Sequence, residues 1–160
     1  MRGILVQNRN TIVSFAAIFI LLGLLLVAFG FYYRAAERRT IEKVRGLSQG
    51  KGASPKEFLN SRNALTRNGD FTGIYIFHNK TKGMYYVGQS TRVVGRVMQH
   101  LAGHGNGDVY ADYKYGDEFE INLVSLRESG YDSLDALERD AIKTYNAYAK
   151  GYNRTRGNRN

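Results

Sequence analysis

The sequence predicts an α+β fold, in which a small antiparallel three-stranded sheet is flanked by helices in the order ββαβα and is preceded by one transmembrane helix. Three observations lead to this prediction: a long uncharged segment near the N-terminus, two strand-like segments on either side of a short polar turn, and a third alternating segment between two amphipathic ones. The chain has 160 residues, which is enough for one modest domain with accessories.

The uncharged segment covers residues 11–33 and is dominated by large apolar side chains. A helix of about 20 such residues crosses the hydrocarbon core of a bilayer, whereas the apolar region of a signal peptide is only about 7–15 residues long. Phe31, Tyr32 and Tyr33 come directly before Arg34, as aromatic residues do at a membrane interface. We therefore expect an uncleaved single-pass anchor over residues 1–33, with a cleaved signal peptide as the alternative.

The positive charge is concentrated in the first part of the chain. The formal net charge is +9, and residues 1–70 contain 11 Lys and Arg against 4 Asp and Glu. Such an excess suits nucleic acid or anionic lipid headgroups. More basic residues follow the apolar segment than precede it, so the positive-inside rule places the C-terminal domain in the cytoplasm. The chain has no cysteine, which excludes disulfides and thiol-based metal sites or catalysis.

Residues 34–70 are predicted to form a basic juxtamembrane stalk and a lead-in helix. The segment "RAAERRTIEKVRGL" is typical of a solvated helix near anionic headgroups, with nucleic-acid binding as the secondary reading. Further on, Ser54, Pro55 and Glu57 form the pattern of a helix start with a capping box. We expect this lead-in helix to end near Arg67.

The segments "FTGIYIFH" and "MYYVGQ" predict a β-hairpin across the turn "NKTKG". If the hairpin is symmetric about the middle of this turn, Tyr75 lies opposite Tyr86 and Gly73 lies opposite Gly88. Opposed residues share one face of an antiparallel pair, so both phenols are expected side by side. The glycines would leave backbone open to the close approach of another group.

The remaining elements follow from hydrophobic periodicity. Residues 91–102 predict a helix with a valine-rich apolar stripe, and residues 103–117 predict a polar loop. Residues 118–126 alternate as a third strand does. A last helix is predicted to begin at Asp132 or Ser133 and to end at Gly151, and residues 157–160 form a basic tail.

The triplets Gly73-Ile74-Tyr75 and Tyr86-Val87-Gly88, separated by a short turn, resemble the signature of the GIY-YIG nuclease superfamily. The resemblance covers residues 71–156, and its second triplet reads YVG rather than YIG. Four further family positions find matches in order along the chain: Arg96, His100, Glu138 and Asn153.

The resemblance implies a set of roles for these residues. Glu138 would bind Mg²⁺ or Mn²⁺, Arg96 would hold the scissile phosphate, and Tyr75 would act as general base, although a phenol with a pKa of about 10 is a weak base at neutral pH. Tyr86 would orient the water or phosphate, and Asn153 would make a hydrogen bond across the site. His100 would either assist proton transfer or cap a surface. Candidate contacts to substrate are Gly73, Gly88, Arg92, Lys80 and Lys82.

These expectations add up to a membrane-anchored, divalent-metal-dependent endonuclease that hydrolyses DNA phosphodiester bonds. No separate recognition domain is apparent, so we expect weak or structure-based selectivity. Two alternatives stay open. The same fold could bind DNA at the membrane without cleaving it, or the chain could be a structural membrane protein whose stalk binds lipid.

Overall fold

The computed structural model describes residues 2–50, 52–67 and 69–158, with side chains from Ala17 onward. It divides the chain into two compact units, Met1–Arg39 and Thr40–Asn160. The predicted domain boundaries at residues 33, 70 and 156 stay predictions.

The first unit consists of the greater part of helix α1, which spans Arg2–Ser48. The stretch Ala17–Ser48 contains a window with a mean hydropathy of 2.0 and no buried residues, so it is long and apolar enough to cross a membrane. A signal sequence can meet the same criteria of length and composition. The predicted apolar helix is therefore confirmed, and its insertion in a membrane stays a prediction.

The second unit contains the remaining helices and one sheet. Strand β1 forms hydrogen bonds to β2 on one side and to β3 on the other, and both pairings are antiparallel. This arrangement confirms the predicted fold class. The elements after α1 are α2 (Pro55–Leu65), β1 (Gly73–Asn79), β2 (Met84–Ser90), α3 (Val93–Leu101), α4 (Gly107–Lys114), β3 (Phe119–Ser125), α5 (Leu126–Ser129) and α6 (Leu134–Thr144).

The register of the hairpin differs from the predicted one by two residues. Tyr75 lies opposite Gly88, not Tyr86, and Gly73 lies opposite Ser90, not Gly88. The turn occupies residues 80–83, because Gly83 adopts a left-handed conformation with φ of 65° and completes it. A shift of two residues keeps every side chain on its predicted face, so both tyrosines still share one face.

Local capping signals explain where the helices begin. The predicted capping box at α2 is confirmed, since Ser54 and Glu57 bond to each other's backbone N–H groups. The predicted loop over residues 103–117 is wrong in part, because it contains α4. Asn106 caps this helix by accepting hydrogen bonds from the N–H groups of Asp108 and Val109.

Alternation along the strands gives the sheet two differently packed faces. The α3 face carries Tyr75 and Phe77 of β1, and helices α2, α3 and α4 contribute to its cluster. The α6 face carries Ile74 and Ile76, and α6 packs against it.

The end of α1 also packs on the α6 face. Val44 is only 1% exposed and belongs to the same cluster as Ile74 and Ile76. The prediction of a wholly solvated stalk is therefore wrong for this part of the helix. One stripe of this helix faces inward. It carries residues spaced at i, i+3 and i+4, namely Val44, Leu47 and Ser48.

Candidate active site

Three aromatic side chains meet on the α3 face. Tyr75 of β1 and His100 of α3 are almost fully buried, with exposed fractions of 2% and 1%. The ring of Tyr86 lies 6.1 Å from that of Tyr75 and 5.2 Å from that of His100, measured between centroids. The hairpin and α3 thus bring together three residues that are distant in sequence.

Two glycines make room for this cluster. A Cβ atom at Gly88 would collide with the phenol of Tyr75, which lies across β2 because the two residues are paired in the sheet. A Cβ atom at Gly105 would collide with the ring of His100. The group that approaches Gly88 closely is therefore a side chain of the protein itself.

The hydrogen bonds of His100 determine which ring nitrogen carries the proton. Its Nδ1 accepts a hydrogen bond from the backbone N–H of Asn106 at 3.1 Å. Burial and the nearby Arg96 lower the pKa of His100 to about 4, so the ring is neutral at pH 7. The proton then lies on Nε2, which donates to Oη of Tyr75 at 3.0 Å. In this tautomer Nε2 cannot accept a proton from the phenol.

Arg96 lies next to all three aromatic residues and acts on their ionisation. Burial raises the pKa of Tyr75 and of Tyr86, while the guanidinium group of Arg96 acts in the opposite direction on both. The same positive charge helps to lower the pKa of His100. The side chain is half-buried, and its Nη1 donates to Oε1 of Gln99 at 2.8 Å. Arg96 therefore provides the positive charge of this site.

Glu138 supplies a carboxylate from α6. Its exposed fraction is 9%, and burial together with the neighbouring Asp135 raises its pKa. Interactions with the backbone of Asn158 and Gln89 act in the opposite direction. Burial is the main cause that raises the pKa of Tyr86, and the charge of Glu138 raises it further. Burial of a carboxylate beside a second one favours the binding of a cation.

Asn153 contacts the backbone of β2 rather than the aromatic rings. Its Oδ1 accepts from the N–H of Val87 at 2.9 Å, and its Nδ2 donates to the C=O of Val87 at 2.7 Å. The backbone N–H of Tyr152 adds a bond to the C=O of Tyr85. These bonds hold the strand that carries Tyr86 and Gly88, as the pairing with another strand would.

A family model described as the GIY-YIG catalytic domain matches residues 71–153, just over half of the chain. The chain belongs to the GIY-YIG family. Membership implies a nuclease type of activity. Searches among curated proteins and among solved structures found no match.

The donor set of this GIY-YIG domain fits a hard divalent cation. Among the described residues, no group of three or more His, Asp or Glu side chains is arranged to hold a metal. Mg²⁺ rarely uses such a cage, because it keeps several waters and binds through one or two carboxylates together with substrate phosphates. Glu138, buried and destabilised as an anion, suits this role.

The predicted substrate contacts are placed unevenly in the GIY-YIG domain. Lys80 and Arg92 are exposed, whereas Nζ of Lys82 lies 2.6 Å from Asp112 and 3.5 Å from Asp117 in salt bridges. A Cβ atom at Gly73 would collide with the backbone C=O of Val124. The space beside Gly73 is thus filled by β3, and its contact with substrate stays a prediction.

Two residues that support the site were missed at the sequence level. Asn106 orients His100, and the pattern "GNGD", an asparagine before an acidic first turn, is the signal that could have revealed it. Gln89 donates from Nε2 to Asp135 at 2.6 Å and so connects β2 with α6 near Glu138. Gln89 and Asp135 are far apart in sequence, so no local signal points to their contact.

Proposed function

We propose that this chain is a membrane-anchored, divalent-metal-dependent endonuclease that hydrolyses DNA phosphodiester bonds. The observation that carries the proposal is the convergence of two tyrosines, a neutral histidine, an arginine and a buried glutamate within one GIY-YIG domain. Cleavage of a phosphodiester requires positive charge near the phosphate, activation of water and help for the leaving oxygen. This group of side chains offers the first two: Arg96 provides the positive charge, and Tyr75 provides the base that activates water.

Each residue has a role in cleavage that suits its side-chain chemistry. Arg96 binds the scissile phosphate, since its planar guanidinium group matches phosphate oxygens. Glu138 would hold Mg²⁺ or Mn²⁺, which when bound would neutralise negative charge and make a water molecule more acidic. Tyr86 orients the water or the phosphate from the neighbouring strand.

Tyr75 acts as the general base in this proposal, and His100 positions it. Burial makes the phenolate unfavourable in the free protein, so Tyr75 needs the positive charge of Arg96 nearby to give up its proton. The N–H at Nε2 of His100 then stabilises the phenolate oxygen. Asn153 is a positioning residue, because its two hydrogen bonds fix β2 and do not reach the phenols.

The surroundings of the domain support DNA as substrate and the membrane as location. Helix α1 provides the anchor, and the exposed basic residues that follow its apolar part suit anionic lipid headgroups and a cytoplasmic domain. Arg92 and Lys80 are exposed positions for phosphate contacts. The described residues outside 71–153 form chiefly α1 and α2, so we propose weak or structure-based selectivity. Cleavage at one defined sequence would contradict this last point.

Plasmid nicking tests the proposal. The purified full chain in detergent is incubated with supercoiled DNA in Mg²⁺ or in chelator, beside Glu138→Gln and the matched exposed control Glu128→Gln. We expect metal-dependent nicking that falls by about a hundredfold or more in Glu138→Gln, as for loss of a metal site, and is unchanged in Glu128→Gln.

The other outcomes separate the alternatives. Salt-sensitive DNA binding without cleavage by folded protein would favour the non-cleaving DNA-binding module. Cleavage that survives in Glu138→Gln would show that the metal site is placed wrongly.

A further inference from the structure

The helix that carries Arg96 and His100 begins without a cap of its own. Helix α3 spans Val93–Leu101, and its N-cap residue, Arg92, makes no side-chain hydrogen bond to the first turn. The first N–H groups of a helix have no partner within the helix, so they must be satisfied from outside it. The start of α3 therefore depends on another part of the chain.

Asp70 and the residue after it supply the partners that α3 lacks. Oδ1 of Asp70 accepts a hydrogen bond from the backbone N–H of Val94 at 2.9 Å, and Oδ2 accepts one from the N–H of Gly95 at 2.8 Å. The N–H of Val93 donates to the C=O of Phe71 at 3.0 Å. The three N–H groups that open the helix are thus all bonded to the short segment that precedes β1.

The same carboxylate is bonded to the start of β1. Oδ1 of Asp70 also accepts from the N–H of Phe71 at 2.8 Å, and β1 begins two residues later at Gly73. Hydrogen bonds to a charged carboxylate are stronger than those between neutral groups, and a negative charge is favourable at a helix N-terminus. Asp70 therefore joins the strand that carries Tyr75 to the helix that carries Arg96.

A glycine in the first turn of α3 leaves room for this contact. A Cβ atom at Gly95 would lie 3.3 Å from Oδ2 of Asp70, so the carboxylate would have to move by a few tenths of an ångström. Glycine inside a helix lowers stability relative to alanine. The residue that favours the helix least thus stands where the carboxylate approaches the helix backbone.

Arg96 comes directly after this anchored turn. Its N–H donates to the C=O of Arg92 at 3.0 Å and makes the first hydrogen bond that joins residues i and i−4 of α3. The way in which the first turn is held therefore sets the position from which the guanidinium group of Arg96 leaves the helix. A displacement of about 1 Å in a group that positions substrate can cost about a hundredfold in rate.

We propose that Asp70 is a positioning residue for phosphodiester cleavage, and that it fixes Arg96 on α3 relative to Tyr75 on β1. The inference rests on the proposed function, because it concerns the group that binds the scissile phosphate. Asp70 acts only through the backbone of α3. It lies one residue before the range 71–153 that matches the family model, so membership of the family assigns it no role.

The alternative is that Asp70 only stabilises the fold, as any helix cap does. A second cap in the chain separates the two cases. Ser54 caps α2, a helix that carries none of the proposed site residues, so Ser54→Ala is a matched control. A cap that only stabilises should lower the melting temperature when it is removed and leave the cleavage rate per folded molecule unchanged.

Steady-state plasmid cleavage by the full chain in detergent, normalised to the folded fraction, tests the proposal. We expect Asp70→Asn to lower kcat by about tenfold or more, because the amide keeps one acceptor oxygen and replaces the other by a donor. KM should stay the same or fall, since the substitution removes a negative charge and no phosphate contact. Ser54→Ala should change neither quantity.

A double-mutant cycle assigns the effect to Arg96. Arg96→Lys keeps the charge and loses the planar fork that matches phosphate, so it should slow cleavage by itself. If Asp70 acts through this fork, adding Asp70→Asn to the Arg96→Lys chain should lower the rate by less than about threefold.

Gly95→Ala tests the contact from the other side. The added methyl group displaces the carboxylate of Asp70, whereas alanine itself favours the helix. We expect the rate per folded molecule to fall while the melting temperature stays equal or rises. If Asp70→Asn does not fold, this variant decides, and an unchanged rate then overturns the proposal.

Two further results would overturn it. One is a kcat of Asp70→Asn within about threefold of that of the unmodified chain, and the other is a double variant in which the two losses multiply in full. Amide hydrogen exchange of residues 93–96, measured without DNA, separates this inference from the proposed function. Exchange should become faster in Asp70→Asn and not in Ser54→Ala.

Unchanged exchange in Asp70→Asn would overturn the role of Asp70 whether or not the chain cleaves DNA. Faster exchange in a chain that never cleaves DNA would contradict the proposed function and support Asp70 as the residue that fixes the start of α3.

Discussion

The two faces of the sheet are built from the same strands and differ in what they bury. On the α6 face, Ile74, Ile76 and Val87 pack with aliphatic residues of α6 and with Val44. On the α3 face, Tyr75 and His100 are just as deeply buried, but they are polar and bonded to each other. Adjacent residues in one strand thus belong to opposite environments.

This difference separates stability from chemistry. Aliphatic burial is non-directional and stabilises the fold in proportion to the area removed from water. A buried phenol and imidazole need a specific partner for each polar atom, and the α3 face provides partners in the backbone of Asn106 and in Arg96. We therefore expect substitutions on the α3 face to affect activity first, and those in the aliphatic core to affect stability first.

The largest effect is expected from Tyr75→Phe. Loss of the general base should reduce plasmid cleavage by about 10²–10⁴-fold. The free energy of unfolding should fall by only about 1–2 kcal/mol, because Nε2 of His100 loses its acceptor while the ring still fills its place. Initial cleavage rates and urea unfolding of the same preparation measure both quantities. Cleavage within threefold of the unmodified chain would show that another group activates the water.

The neighbouring substitution Ile74→Ala should give the opposite pattern. Ile74 is fully buried on the α6 face, and removing such a side chain to alanine costs about 2–5 kcal/mol of stability. The protein that remains folded should cleave DNA at nearly the normal rate. Urea unfolding with rates normalised to the folded fraction provides the test. A large loss of normalised rate would mean that the two faces are coupled through β1.

The smallest effect is expected in the pH dependence of stability. This prediction compares His100 on the α3 face with His78 on the α6 face. Burial lowers the pKa of His100 from its ordinary value of 6.5 to about 4. The unfolded state then binds the proton more strongly, so this contribution to stability is complete above pH 6.5 and is lost as the pH falls towards 4. His78 on the α6 face shifts in the same direction, although it is only half-buried.

Unfolding in urea at pH 7 and pH 5 measures this difference. Stability should fall less on acidification in His100→Gln than in the unmodified chain, and His78→Gln should show a smaller change of the same sign. The exposed His104→Gln should behave like the unmodified chain. A larger effect of His78→Gln than of His100→Gln would reverse the comparison between the faces.

Local patterns in the sequence were sufficient for the family and for most of the elements, although α4 was predicted as loop and the last helix ends at Thr144 rather than at Gly151. The apolar segment, the capping box at Ser54 and the alternation of the strands depend on residues that are close in the chain, where helix and strand geometry fix which side chains are neighbours. The two glycine-tyrosine triplets carried the resemblance that residues 71–153 confirm. Tyr75 and Tyr86 could be predicted on one face because side chains alternate along a strand, and a register shift of two residues keeps each on its face.

Only the tertiary structure decided the register, the partners and the surroundings of the site. The hairpin register depended on the left-handed Gly83, and the burial of Val44 depended on a sheet that the helix meets only after folding. The tautomer of His100 is set by the backbone of Asn106, which belongs to a different element. Such contacts join residues that are far apart in sequence. They depend on how the elements pack in the folded chain, and no local sequence pattern encodes that packing.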